Sequence, residues 1–214
     1  MEWLWLRDMA ADQDLATIAS LDALKYLWLL DAPINDLHFL RGCRLLHYLY
    51  LKGEAAPDLT LLSVLPRLTG LALDGVDEPA GGLAEIAKSL PRLEELILFQ
   101  CQWAHELAAI SQMSRLRRLD IRYQPIGDLR PLIALQTLEV IFLGNCGFSD
   151  EVRPPVDVAP LAQLTNLREL AILESTPGLD LTPLQGRNLT VHLFPGMLDE
   201  KMASIDRIKF KIWH

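Results

Sequence analysis

Cysteine is scarce in this chain: three in 214 residues, an odd number. So small and odd a count argues against a disulfide framework and for a reducing compartment. Positive charge is in deficit, with 20 Lys and Arg against 28 Asp and Glu and a formal net charge of −8. Neutralising a phosphate backbone needs a basic face, so nucleic acid is not an expected partner. No stretch approaches the roughly 20 apolar residues of a membrane span, which excludes a membrane partner of that kind. The opening residues Met1-Glu-Trp-Leu-Trp-Leu-Arg-Asp8 lack the basic region, apolar run and cleavage site of a signal peptide, and read instead as a strand. A cytoplasmic location is the expectation.

Constellations that carry chemistry are missing as well. The histidines His38, His47, His105, His192 and His214 have no metal-ligand spacing. The one glycine pair, Gly81-Gly82, follows Pro79 and precedes a helical pattern, so it reads as a turn rather than a phosphate loop. A chance pair of carboxylates without a pocket is no acid–base site. The sequence therefore predicts no enzyme, no cofactor, no metal and no small-molecule substrate.

What is present is leucine at fixed intervals. Half the residues are hydrophobic and 22% are charged, a balance that supports a folded core. A Leu-x-x-Leu-x-Leu unit runs Leu24, Leu27, Leu29; Leu46, Leu49, Leu51; Leu68, Leu71, Leu73; Leu93, Leu96, Leu98; Leu116, Leu119, Ile121; Leu138, Ile141, Leu143; and Leu167, Leu170, Ile172. Shorter versions flank it at Leu4/Leu6 and Val191/Leu193. Successive final positions, from Leu6 to Leu193, are separated by 23, 22, 22, 25, 23, 22, 29 and 21 residues. A period in the 20s marks a solenoid, in which each unit buries its apolar edge only against its neighbours.

Each Leu-x-Leu pair has the period-two alternation of a short strand with one buried face. Between strands, Leu15, Ile18 and Leu21 have helical spacing, as do Leu83, Ile86 and Leu90, whereas other connectors are punctuated by proline. Short connectors favour a thin, gently curved solenoid with its parallel strands on the concave side.

These repeats resemble the leucine-rich repeat proteins, and most nearly the 22-residue type of bacterial internalin-like proteins and phosphatase-regulatory subunits. The unit Leu116, Leu119, Ile121, followed by Ile126-Gly-Asp128-Leu129-Arg-Pro131-Leu132, matches that subtype best, and Asp36-Leu37, Asp180-Leu181 and Pro183-Leu184 repeat part of it. The resemblance implies an α/β solenoid over one domain, residues 1–214: a curved parallel sheet on the concave face, with short helices or turns on the convex face. Residues 1–195 would be repeats and 196–214 a cap, with a short helix between Asp199 and Ile205 and a strand bearing Ile208, Phe210 and Ile212. The asparagine expected after each strand is mostly replaced (Ala32, Glu54, Val76, Gln124, Ser175), and Cys101 and Cys146 occupy that place in their repeats, where a small polar side chain satisfies backbone groups. Cys43 lies between repeats and is expected in the core. The longest insertion, 147–158, is either a tolerated rim loop or a contact loop.

Alternation also identifies the concave face. The column between the inward residues runs Trp5, Trp28, Tyr50, Ala72, Ile97, Asp120, Phe142, Ala171, His192; the column before it begins Trp3, Tyr26, Tyr48 and Gly70. Six large aromatics thus share the solvent side of three strands and would expose on the order of 500–700 Å². Trp3 and Trp5 could instead shield an end, and the other rings could be a sheet-stabilising ladder. Farther along, Arg118, Asp120 and Arg122 form a mixed-charge centre beside Phe99 and Phe142, either recognising a partner or holding their own ion pairs. The expected partner is another protein, docking on Trp5, Tyr26, Trp28, Tyr48, Tyr50, Phe99, Arg118, Asp120, Arg122 and Phe142. A bacterial immunity or inhibitor protein is the first reading; a constitutive regulatory or assembly subunit is the second.

Overall fold

A computed structural model describes residues 1–8, 15–31, 36–123, 127–144, 155–173 and 178–212. Its strands are β1 (Trp3–Arg7), β2 (Tyr26–Leu30), β3 (Tyr48–Lys52), β4 (Gly70–Asp74), β5 (Glu95–Phe99), β6 (Arg118–Arg122), β7 (Val140–Gly144), β8 (Glu169–Ile172), β9 (Leu189–Leu193) and β10 (Ile208–Ile212). They form one sheet in chain order. Every neighbouring pair is parallel, including β10 on β9.

The register follows the leucine columns without a slip. Leu4 pairs with Leu27, Leu27 with Leu49, Leu49 with Leu71 and Leu71 with Leu96. The column continues through Leu119, Ile141, Leu170 and Val191 to Phe210. A one-residue slip would turn every leucine to solvent, which is why burial fixes the pairing so firmly. Leu27, Leu29, Leu49, Leu51, Leu71, Leu73, Leu96 and Leu98 are all fully buried, as the alternation requires.

The convex side is built of short helices and turns, as expected, and most of them are 3₁₀, at Leu15–Ser20, His38–Gly42, Leu59–Val64, Leu107–Gln112, Arg130–Ala134, Ala159–Gln163 and Thr182–Leu184. Each spans only three to six residues, and a single tight turn of that length already delivers its apolar residues to the core. α-Helix forms at α1 (Gly82–Ser89), with a single turn at α2 (Glu200–Ala203).

Aspartate starts many of these turns. Asp36, Asp58, Asp128, Asp157 and Asp180 each accept the backbone N–H two residues on, at 2.8–3.1 Å. A carboxylate there satisfies an amide the short turn would leave orphaned. The His38 amide holds the Asp36 carboxyl below the usual aspartate range, and the Arg130 and Thr182 side chains, with the backbone bonds adding, do the same for Asp128 and Asp180. Nearer the strands on the same leg, the chain leaves β1 to β6 through left-handed residues: Asp8, Asp31, Gly53, Gly75, Gln100 and Tyr123 each follow a strand directly with φ between +50° and +155°.

Cys101 performs the expected turn role. Its sulfur lies 3.5 Å from the Leu73 carbonyl and 3.4 Å from that of Phe99, and it accepts from the amides of Val76 and Gly75. Burial pushes its thiol up to about 12 and raises that of Cys43, which sits in the core with its sulfur 3.6 Å from the Ile18 carbonyl. Cys146 and most of the 147–158 insertion lie outside the described residues.

Two predictions follow from this packing. Leu71→Ala should lower the free energy of unfolding by ~2–5 kcal/mol in a denaturant titration, because a fully buried side chain at mid-sheet leaves a cavity. Cys43 and Cys101 should resist a thiol reagent at pH 8 in the folded protein and react promptly once it is denatured, since the thiolate is the reactive form.

Candidate functional site on the concave face

In-register parallel pairing lines up one residue from every strand, about 4.8 Å from the next. One row holds Trp3, Tyr26, Tyr48 and Gly70; the next holds Trp5, Trp28, Tyr50 and Ala72. That spacing suits stacked rings. Trp3 stacks on Tyr26 with centroids 4.0 Å apart and on Trp28 at 5.5 Å. Trp5 stacks on Trp28 at 5.8 Å, Tyr26 lies 6.3 Å from Trp28, and Tyr48 meets Trp28 tilted at 5.8 Å. Five rings thus form one contiguous cluster.

Small residues on β4 give the cluster its seat. A Cβ on Gly70 would lie 2.4 Å from Cδ2 of Tyr48, so glycine is what lets that ring rest on the sheet. Ala72 is fully buried. Tyr50 reaches to β4 and donates its hydroxyl to Asp74 Oδ2 at 2.6 Å, with Lys52 Nζ 3.7 Å from the same oxygen. Burial pushes the Tyr48 phenol up to about 12, and burial together with the Asp74 bond raises that of Tyr50 as well. Tyr26, Trp28, Tyr48 and Tyr50 are half-buried, whereas Trp3 and Trp5 remain 58% and 64% exposed. The accessible aromatic area is therefore concentrated on β1 and grades inward.

Beside the rings, Tyr26, Tyr48, Gly70, Glu95 and Arg118 line a shallow depression of about 340 Å³. Arg118 Nε lies 3.0 Å from Glu95 Oε1, an ion pair without the alignment of a good hydrogen bond. Burial raises the Glu95 carboxyl, and the nearby Asp120 adds to the effect against the pull of Arg118.

Two residues expected to face solvent do not. Asp120 is 1% exposed and Phe142 5%. Arg122 grips Asp120 with two hydrogen bonds, Nε to Oδ1 at 2.8 Å and Nη2 to Oδ2 at 2.7 Å. Its guanidinium lies 5.2 Å from the Phe142 ring centre and 5.4 Å from that of Phe99, while Arg118 sits over Phe142 at 4.7 Å. The long arginine stems fold back and roof the shorter side chains, so Asp120 and Phe142 support the surface rather than form it. Phe99 is also met edge-on by Tyr123, 4.5 Å away. Glu169 and His192 form a further pair at 2.8 Å near the other end of the sheet.

Sequence reasoning named the rings and arginines but not Gly70, Ala72, Asp74 or Tyr123 as parts of the site. The legible signal was size complementarity along a row, large rings followed by Gly70 and Ala72. Among the described residues no group of three His, Cys, Asp or Glu could hold a metal, and no helix is long and apolar enough to cross a membrane.

The comparisons with known proteins agree on architecture. No protein-family model matches the chain. It is 35% identical over 116 residues, 53% of its length, to human leucine-rich repeat-containing protein 56, of which that match spans about a fifth (21%). Among solved structures it is similar to an internalin C2 of Listeria monocytogenes, with a TM-score of 0.67 and 24% identity over 91% of this chain and 83% of that one. An internalin F from the same organism gives 0.51 and 19% over 93% and 66%, and a leucine-rich repeat protein of Leptospira interrogans gives 0.53 and 16% over 99% and 67%. The fold is a leucine-rich repeat solenoid.

The seat of Tyr48 can be tested by titration. The fold favours the neutral phenol, so its contribution to stability is present below the ordinary tyrosine range and is lost as pH rises through about 12. Ultraviolet titration should show a phenolate transition near 12 that Tyr48→Phe removes. Gly70→Ala should bring it back toward 10 by displacing the ring.

Proposed function

We propose that the chain is a protein-recognition module that takes its partner on the concave sheet. The observation that carries this reading is the five-ring cluster, whose Trp3 and Trp5 stay more than half exposed. Packing inside the protein does not require large rings on the face turned away from the leucines, and exposed Trp, Tyr and Arg are the residue types that dominate binding hot spots. Trp5, Tyr26, Trp28 and Tyr48 form the contact centre. Tyr50, Phe99, Arg118 and Arg122 flank it, with Asp120 and Phe142 beneath. The rings are held by stacking before any partner arrives, which lowers the entropic cost of binding. The arginines, already paired, add orientation and encounter rate more than affinity.

Within that reading, the finer role is an inhibitor or immunity protein that masks a surface of a toxin or enzyme in the bacterial cytoplasm. Buried free thiols at Cys43 and Cys101 suit such a reducing compartment.

Capture from a lysate of the source organism, with identification by mass spectrometry, supplies the partner. Its affinity for the purified chain should then fall at least 30-fold with Trp28→Ala, or about 2 kcal/mol. The melting temperature should stay within a few degrees, and the convex substitution Val64→Asp should have no effect on binding. Unchanged affinity for Trp28→Ala, or loss with Val64→Asp, places the interface elsewhere. Stoichiometric addition should abolish the partner's activity; a partner that is active only with the chain bound is instead served by a regulatory subunit.

A further inference from the structure

The two edges of the sheet differ in kind. On β10 the alternating Lys209 and Lys211 are exposed, and charged side chains of that sort discourage another strand from pairing. β1 carries no lysine. Its concave side chains are Trp3, Trp5 and Arg7, all exposed, and its core-side residues Leu4 and Leu6 are only half-buried, unlike the fully buried leucines of the next strand. Among the described residues no strand pairs with its outer edge.

The backbone fixes which groups that edge offers. Lys25 and Tyr26 donate to the Glu2 carbonyl, and the Asp8 amide donates to Leu30. Even-numbered residues of β1 therefore face β2, so the amides and carbonyls of Trp3, Trp5 and Arg7 point outward. We propose that this edge is a self-association site, where β1 of a second copy of the chain pairs antiparallel about a twofold axis at Trp5.

The edge is self-complementary in that register. Trp5 falls opposite Trp5 of the second copy, and Trp3 opposite its Arg7, so all three outward residues form hydrogen-bonded pairs. Sliding by two residues leaves one of the three without a counterpart in the strand. Side chains agree with the backbone. Arg7 comes beside the partner copy's Trp3, a cation–π contact across the interface. Leu4 comes opposite the other Leu6 on the core side and covers leucines left half-open in the single chain. The pair beyond, Glu2 against Asp8, brings like charges together, but Glu2 is already held by Lys25 at 2.7 Å. A twofold axis normal to the sheet turns both concave faces the same way and joins the two ring clusters into one strip. This goes beyond partner recognition by a single chain.

The contact is small. A five-residue strand with two tryptophans buries on the order of 500 Å² per copy, against about 800 Å² in a standard interface. Dissociation on the order of 10–100 µM is expected.

Sedimentation of the full chain from about 1 to 300 µM should show its mass rising from the 24.1 kDa monomer toward twice that value. Trp5→Arg, which sets two cations on the axis, should stay monomeric with an unchanged melting temperature. The register has its own test, because hydrogen-bonded antiparallel partners lie about 5.5 Å apart at Cα, within disulfide range. Under mild oxidation Trp5→Cys should cross-link to itself at least tenfold faster than Lys209→Cys on β10, with the unsubstituted chain as blank. Trp3→Cys and Arg7→Cys should cross-link when mixed but not separately. A monomer at every concentration, dimerisation that survives Trp5→Arg, or Trp5→Cys reacting no faster than Lys209→Cys overturns the proposal. Equal rates for the mixed and separate Trp3→Cys and Arg7→Cys proteins overturn it too.

Discussion

Burial of one leucine column against the next is the constraint on which the rest of the molecule depends. A single repeat has too little apolar area to hold its own strand; stacked, each pair of inward leucines closes the gap left by its neighbours. Pairing then has no freedom of register, because any slip exposes a whole column. The concave face inherits that order. Its side chains stand in rows because leucines on the other face are in rows, and the rings of β1, β2 and β3 stack because the backbone has already placed them at stacking distance.

That inheritance explains how much the sequence disclosed. The strands, their order and their inward residues could be read directly, since a period of two within strands and about 22 between them leaves one solution. The aspartates of the short turns were visible as fragments of a repeat motif, though the reason for them, an orphaned amide two residues on, is a matter of backbone geometry. The convex side was less legible. Helical spacing at Leu15, Ile18 and Leu21 fits a 3₁₀ turn as well as an α-helix, so the spacing alone does not choose between them.

The concave surface was half legible for a different reason. Alternation tells which way a side chain leaves the backbone, not where its far end goes. Tryptophan and tyrosine are rigid and stay near their row, so their placement followed from the column they occupy. Arginine is long. Arg118 and Arg122 fold over Phe142 and Phe99, and Asp120 disappears beneath Arg122, which turns a row of apparent surface charges into a layered structure with a buried carboxylate. Tyr50 and Asp74 make the same point, since their bond crosses from one row and strand to another.

The unbroken register makes the face a ruler graduated by strand. Five inter-strand spacings separate Trp5 on β1 from the Arg122–Asp120 pair on β6, roughly 24 Å along the sheet, and the innermost ring, Tyr48 on β3, stands three spacings from that pair. Inserting one further 22-residue repeat between β4 and β5 would lengthen that distance by a single graduation, with the rings still on their β4 seat and the arginines still beside Glu95 and Phe99. A lineage carrying this fold can thus retune the separation of two contact points by gene-level repeat gain, a coarse adjustment that no single side-chain replacement provides.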